Sequence, residues 1–376
     1  MRLNLPLTGA EELAAVAEVL ESGYLTQGPK AATLEALVND TVGTEHAFAV
    51  SSATTGLHLA LVGLGVKPDD EVIIPDFSFP ATANVVVQLG AIPVFVDIEP
   101  DTFNLAPALL EAAITPRTAA IMPVHAFGLT ADMDPINHIA AVHGIPVLED
   151  AACALTALYN GRPAGSLGTA GVFSFHPRKI ITTGEGGMIT TNDSELAARM
   201  RVLRTHGAVR DGLFMSFVDA GFNYRLSDVH AAIGIAQMAK LDHIVGRRQT
   251  LASALTERIG SVEGVTAPVV PEGSRHSFQS YVVTLDEDID RDAVICEMRE
   301  LDVETTLGTY SMHLQPYFRE RFGIPDEALP NATRAHRSAL TLPLYPQLSE
   351  SDVDRVAESL RLAVERVRSA PAAARR

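Results

Sequence analysis

The chain has 376 residues, 47% hydrophobic and 20% charged, with 27 glycines and 22 prolines, which suits a large core divided between two domains. Its formal net charge of −17 argues against nucleic acid or an anionic membrane as the main partner. No apolar run is long enough to span a bilayer, the start Met1-Arg2-Leu3-Asn4-Leu5-Pro6 does not read as a signal peptide, and the two cysteines, Cys153 and Cys296, lack metal-type spacing, so the expectation is a reduced, cytoplasmic protein with buried thiols and no metal site.

In chain order, short β-type runs alternate with helical patterns. Strands are predicted at 47–50, 71–75, 93–97, 119–124 and 147–150. Helical patterns start at Gly56 and cover 81–89, 106–113 and 135–143. Nearly continuous apolar strands separated by helices indicate a mostly parallel sheet covered on both faces, with ligands beyond the carboxyl ends of the strands. From Leu226 to Ile259 the pattern is helical, with Ala231, Ala232, Ile235, Met238 and Leu241 as an apolar stripe, and implies one long helix or a broken pair. A smaller α+β region follows, with a strand at 280–284, a helix at 290–301 and a final helix at 349–367 whose start, Ser349 with Asp352, reads as a capping pair. The predicted architecture is a large domain over 1–245 and a small α+β domain over 246–376, ending in a frayed tail.

The chemistry-bearing residues fall near these strand ends. Val147-Leu148-Glu149-Asp150 is an apolar strand closing on two acids; Phe173 to Lys179 is a β-rich run closing on a lysine; Gly184-Glu185-Gly186-Gly187 follows. Pyridoxal phosphate (PLP) needs a lysine to hold its aldehyde as a Schiff base, a carboxylate against its ring nitrogen, and a phosphate cradle. Lys179 is the candidate lysine, although most lysines are surface residues. Asp150 is the candidate for the ring nitrogen, or else a helix N-cap; Glu149 is the weaker alternative because alternation points it to the other face. Ser51-Ser52-Ala53-Thr54-Thr55-Gly56 precedes a helix and supplies hydroxyls and N–H groups for an anion, or a simple cap. Ser174 offers a further hydroxyl. Phe79 can stack on a cofactor ring, whereas Phe77 reads as core.

These pieces together resemble the DegT/DnrJ/EryC1/StrS family of PLP-dependent sugar aminotransferases, of fold type I. The resemblance is carried by Gly23-Tyr24-Leu25-Thr26-Gln27-Gly28-Pro29, Ser52-Ala53-Thr54 and Phe77-Ser78-Phe79-Pro80-Ala81-Thr82-Ala83-Asn84. It continues through Val124-His125-Ala126-Phe127-Gly128, Glu149-Asp150-Ala151-Ala152, the Lys179 segment and Gly221-Phe222-Asn223-Tyr224-Arg225. His313-Leu314-Gln315-Pro316-Tyr317 and Leu342-Pro343-Leu344-Tyr345-Pro346 complete it. It implies a seven-stranded sheet in the large domain and a homodimer with shared active sites. Lys179 would hold PLP and shuttle the proton, Asp150 would bind the ring nitrogen, and Phe79 would stack. Ala53, Thr54 and Ser174 would hold the phosphate, and Asn223 would reach it from the neighbouring subunit. Arg225 would meet the amino donor's carboxylate, or else make an ion pair, and His313 would lie near the substrate mouth or be a polar loop residue.

Two positions depart from the family pattern. Ala53 stands where glycine is common, and Cys153 stands where histidine or glutamine is common, near the cofactor's hydroxyl side; a thiol donates poorly. The implied activity moves an amino group from L-glutamate, or glutamine, through pyridoxamine phosphate to a keto-sugar, a nucleotide-linked 3- or 4-keto-6-deoxyhexose. The alternatives are a cyclitol aminotransferase of the scyllo-inosose type and a non-catalytic regulator on the same fold.

Overall fold

The computed structural model describes residues 1–369, so the tail beyond Ser369 lies outside the described residues. Seven strands build the main sheet: β1 (His46–Val50), β2 (Glu71–Pro75), β3 (Ile92–Val96), β4 (Thr118–Ile121), β5 (Leu148–Asp150), β6 (Ala170–Ser174) and β7 (Gly187–Thr191). Their spatial order is β1-β7-β6-β5-β4-β2-β3, with β5 joined to β4 through the bridges Ile121 to Val147 and Val124 to Asp150. Only β7 runs against its neighbours; the remaining pairs are parallel. All five residues of β2, and all of β7, are buried, as expected for strands covered on both faces. The sequence after β1, β2, β4, β5 and β6 therefore emerges on one edge of the sheet, which gathers Ser52, Phe79, Phe127, Asp150 and Lys179.

The helical stretch after Leu226 is a broken pair, Asp228–Met238 and Leu241–Ile259. The second helix leads into an antiparallel sheet of Val265–Thr266, Tyr281–Leu285, Ala339–Leu342 and Thr306–Leu307. Arg291–Glu300 and Glu350–Ser369 cover it, and Leu251, Leu255, Tyr281, Val294, Leu340 and Leu360 share its core. At the start of the last helix, Asp352 N–H donates to Ser349 Oγ while Ser349 N–H donates to the Asp352 carboxylate. No helix among the described residues is long and apolar enough to cross a membrane.

The two units are interlocked. Helix Leu241–Ile259 crosses position 245. Phe318, Leu329 and Ala332 pack into the core of the larger unit, and Tyr310–Ser311 pairs antiparallel with Phe77–Ser78. At the other end, Met1 packs against the C-terminal core. The thiols differ from expectation: Cys153 is half-buried and Cys296 exposed, because Cys296 lies on the solvent side of an amphipathic helix.

Arg248 ties these parts together. Its side chain is 2% exposed, and Nη1 donates to the carbonyls of Phe278, Gln279 and Leu344 while Nη2 donates to Asn4 Oδ1. Among the described residues it has no carboxylate partner, and burial brings its guanidinium down to about 10. A buried cation that donates to four oxygens, with Nε left unpartnered among the described residues, leaves all four short of a donor when it is removed. Arg248→Ala is expected to cost about 3 kcal/mol or more, measured by chemical denaturation of the purified protein against wild type.

Candidate active site

The anion site is built from the start of helix Ala53–Leu64. Ser52 caps it: Thr55 N–H donates to Ser52 Oγ at 3.1 Å, and Ser52 N–H donates to Thr55 Oγ1 at 3.0 Å. These hydroxyls are spent on the cap. The N–H groups of Ala53 and Thr54 have no preceding turn to accept them and carry the positive end of the helix dipole. Strand β7 lies directly beneath. A Cβ on Gly187 would sit 2.7 Å from the Ala53 nitrogen and 2.8 Å from the Phe173 oxygen, so only glycine lets the strand approach the turn this closely.

Lys179 is presented by a tight turn. Its N–H donates to the His176 carbonyl at 2.8 Å, and Arg178 N–H donates to His176 Nδ1 at 3.2 Å. Burial lowers the pKa of the His176 imidazole, in keeping with a neutral ring that accepts at Nδ1. The two intervening carbonyls are clamped from opposite ends of the chain: Asn4 Nδ2 donates to Pro177 O, and Gln279 Nε2 to Arg178 O. The lysine Nζ lies 3.0 Å from Cys153 Sγ, to which it donates. The thiol thus serves as an acceptor for the lysine, a role that does not need it to be a good donor.

Asp150 ends β5, 5% exposed. Oδ2 accepts from Thr82 Oγ1 at 2.8 Å and Oδ1 from Ala152 N–H at 3.2 Å. Burial raises its pKa; Thr82, Ala152, Lys179 and His125 pull the other way. Glu149 lies on the opposite face, where it accepts from the N–H groups of Gly165, Leu167 and Gly168 and bonds His125 Nε2 at 2.8 Å. The two neighbouring acids thus divide into one that fastens a loop and one that faces the cleft.

The cleft between these groups has a volume of about 520 Å³, in the range of small-ligand sites. Ala53, Thr54, Phe79, Asp150, Cys153, Ser174 and Lys179 all line it. Phe79 is 66% exposed within it, while Phe77 is wholly buried. Asn223 and Arg225 are absent from the lining; Asn223 is exposed, and Arg225 bridges Val50 through its backbone. His313 stands apart from the expected substrate mouth. It is 1% exposed, with Nδ1 2.7 Å from Asp76 Oδ2 and Nε2 3.3 Å from Thr333 Oγ1. The hydrogen bonds that hold the chain crossing after β2 close its ring off from the cleft.

Gln279, Ser280, Gly308 and Thr309 also line the cleft and were not foreseen, since the C-terminal unit delivers them from far along the chain. Phe127 was quoted only as part of a motif. It lines the cleft at φ 56°, a conformation rare for an aromatic residue, and its carbonyl accepts from Ser280 N–H.

These residues fit PLP. Asp150 is a buried carboxyl that forms no ion pair with a side chain among the described residues, and it retains lone pairs for a protonated ring nitrogen. An exposed aromatic face, an open helix start and a lysine amine complete the donor set.

The sequence model of the DegT/DnrJ/EryC1/StrS aminotransferase family matches residues 6–361. The chain belongs to that family. It is 40% identical over 371 residues to the spore coat polysaccharide biosynthesis protein SpsC of Bacillus subtilis (strain 168), covering 95% of each chain. Among solved structures, the aminotransferase TlmJ from Streptoalloteichus hindustanus superposes with a TM-score of 0.92 at 35% identity, over 97% of this chain and 99% of that one. DesV of S. venezuelae gives 0.89 at 36% identity, over 95% of each. The protein is accordingly a PLP-dependent aminotransferase.

Asp150 has its proton affinity raised by burial, so its charge opposes folding at pH values above its folded pKa, and that penalty disappears as pH falls through it. Asp150→Asn is therefore expected to raise the melting temperature of the cofactor-free protein by a few degrees at pH 8, with a smaller gain at an acid pH below the folded pKa of Asp150, while transamination falls about a hundredfold or more. Calorimetry at both pH values beside a half-reaction assay checks both halves.

Proposed function

We propose that this aminotransferase moves an amino group from L-glutamate, with glutamine as second donor, to a nucleotide-linked 3- or 4-keto-6-deoxyhexose. The observation that carries the reading is the placement of Lys179 and Asp150 on one cleft of about 520 Å³, open enough for a cofactor and a sugar together. PLP, when bound, supplies an aldehyde that exchanges for an amine and a ring that accepts the electrons left behind when a Cα proton departs.

The chain's own residues do the rest. With the cofactor bound, Lys179 Nζ would take the proton from the donor's Cα and hold it for return, and would act in the reverse order for the acceptor. Asp150 keeps the ring nitrogen protonated. Phe79 fixes the plane of the ring, and the N–H groups of Ala53 and Thr54, with Ser174, hold the phosphate. Cys153 holds the lysine amine in place by accepting from it.

A diphosphate on an acidic protein needs a local cation. Lys30 is paired with Glu18 and Arg204 with Glu35, whereas Arg178 lines the cleft beside Lys179. That supports Arg178 as the group that meets the acceptor's phosphates; Arg225, which stands outside this subunit's cleft lining, would meet the donor carboxylate only across the dimer. The working unit is a homodimer in the cytoplasm. Hairpin Ala208–Asp211 and Phe214–Phe217 exposes Leu213, Phe214 and Phe217 at 91%, 77% and 70%, a patch that a second copy would cover, and exposed Asn223 follows it. Two unpaired thiols suit a reducing compartment.

Two outcomes are expected. The purified protein shows the absorption of lysine-bound cofactor, L-glutamate converts it to the pyridoxamine spectrum, and Lys179→Ala abolishes the conversion; reaction with free scyllo-inosose but no nucleotide sugar would replace the acceptor. Arg178→Gln raises KM for the nucleotide sugar about tenfold with KM for glutamate unchanged, read by steady-state kinetics with each substrate varied.

A further inference from the structure

Beside Asp150, along the wall of the cleft, runs a chain of two hydroxyls. Thr82 is 1% exposed and Ser78 3% exposed. Thr82 Oγ1 donates to Asp150 Oδ2 at 2.8 Å, and Ser78 Oγ lies 2.8 Å from Thr82 Oγ1. A threonine hydroxyl has one proton. With that proton given to Asp150, the bond between the hydroxyls must be donated by Ser78. The direction is thereby set: Ser78 to Thr82 to carboxylate. Such a chain accepts an ionised Oδ2 and resists a protonated one.

The chain of hydroxyls has a rigid base. Phe77–Ser78 is paired with Tyr310–Ser311, and Thr82 lies in the first turn of helix Pro80–Gln88. Phe79 sits between the two hydroxyl residues and caps that helix while its ring stands in the cleft. One short segment of the cleft wall thus supplies both a ring for the cofactor plane and a hydrogen-bond line to its acidic partner.

We propose, on the reading that Asp150 faces the cofactor ring nitrogen, that Thr82, backed by Ser78, is a positioning residue that orients the Asp150 carboxylate and keeps it ionised for that contact. Several groups act on Asp150. Lys179 beyond β6 and His125 beyond β4 act on it through charge, and Cys153, His176, Arg178 and Glu185 line the same cleft. Of the contacts that oppose its burial, the hydrogen bond from Thr82 is the largest, ahead of the Ala152 N–H and both charges. Removing the hydroxyl removes the principal stabiliser of the anion, so the carboxyl protonates at higher pH.

The experiment compares the PLP-loaded wild type with Thr82→Val, Thr82→Ser and Ser78→Ala. Thr82→Val keeps the shape and loses the donor. Its donor half-reaction is expected to slow about 10- to 100-fold, the loss of one hydrogen bond to a charged group, with KM for glutamate little changed. The acid limb of its pH profile moves up by about one unit, and titration of the apoprotein with PLP shows weaker binding. Thr82→Ser restores rate, limb and affinity, and Ser78→Ala gives a smaller shift in the same direction. A packing role alone would lower the melting temperature and leave the acid limb in place. An unmoved limb in Thr82→Val, or in Ser78→Ala should the valine variant fail to fold, overturns the proposal. A wild type that takes up no PLP overturns the aminotransferase reading itself, a separate result from an active wild type whose variants behave identically.

Discussion

An ionisable carboxyl buried at the end of β5, without an ion-pair partner among the described residues, is the constraint around which this molecule is arranged. Burial pushes the Asp150 carboxyl toward its neutral form, yet the chemistry needs the anion. The structure answers with a donor on each oxygen, Thr82 Oγ1 and Ala152 N–H, and leaves the face toward the cleft for a cation that arrives with the cofactor. A protein stabilised for its own sake would carry an amide or an apolar group there. The cost in stability is of the kind expected where function and folding compete for one position.

The same logic governs the lysine. Lys179 sits on a short turn closed by its own bonds to His176, and the carbonyls of that turn are secured by Asn4 from the start of the chain and Gln279 from the C-terminal unit. Arg248 gathers those same elements from behind, binding Asn4 Oδ1 and the Gln279 carbonyl. The amine, its turn and the cleft wall thus form one hydrogen-bonded assembly across three distant stretches of sequence. Phe127, at positive φ, and Ser280 close that wall through one backbone bond. Strained backbone of this sort persists when its surroundings over-determine it.

Much of this was legible from residue order because parallel sheets write their functional residues at strand ends. The apolar runs marked β1 to β5, and Ser52, Phe79 and Asp150 were site candidates because they lie at or just after strand ends. The alternation of Glu149 and Asp150 separated the loop-fastening acid from the cleft acid. His313 was misleading: its motif matched, but its ring had a buried carboxylate, Asp76, to satisfy, and local sequence does not reveal a partner 237 positions away. Cys296 was taken for a buried thiol because small apolar residues usually are, whereas its place on the helix faces water. Thr82 stood in plain view within a motif, but nothing in its neighbours named Asp150 as its acceptor.

By itself, then, the sequence determined the parallel part of the sheet and its candidate active edge, and pointed to Lys179, Asp150 and the helix start at Ala53 as candidate reactive groups, because these follow from local periodicity and from the chemistry of single side chains. Only the tertiary structure decided which hydroxyls stand beside Asp150, which carbonyls Arg248 serves, which cation reaches the cleft and that Cys153 accepts from the lysine. Those are contacts between segments tens to hundreds of residues apart, and they exist only after packing has brought the segments within hydrogen-bond distance.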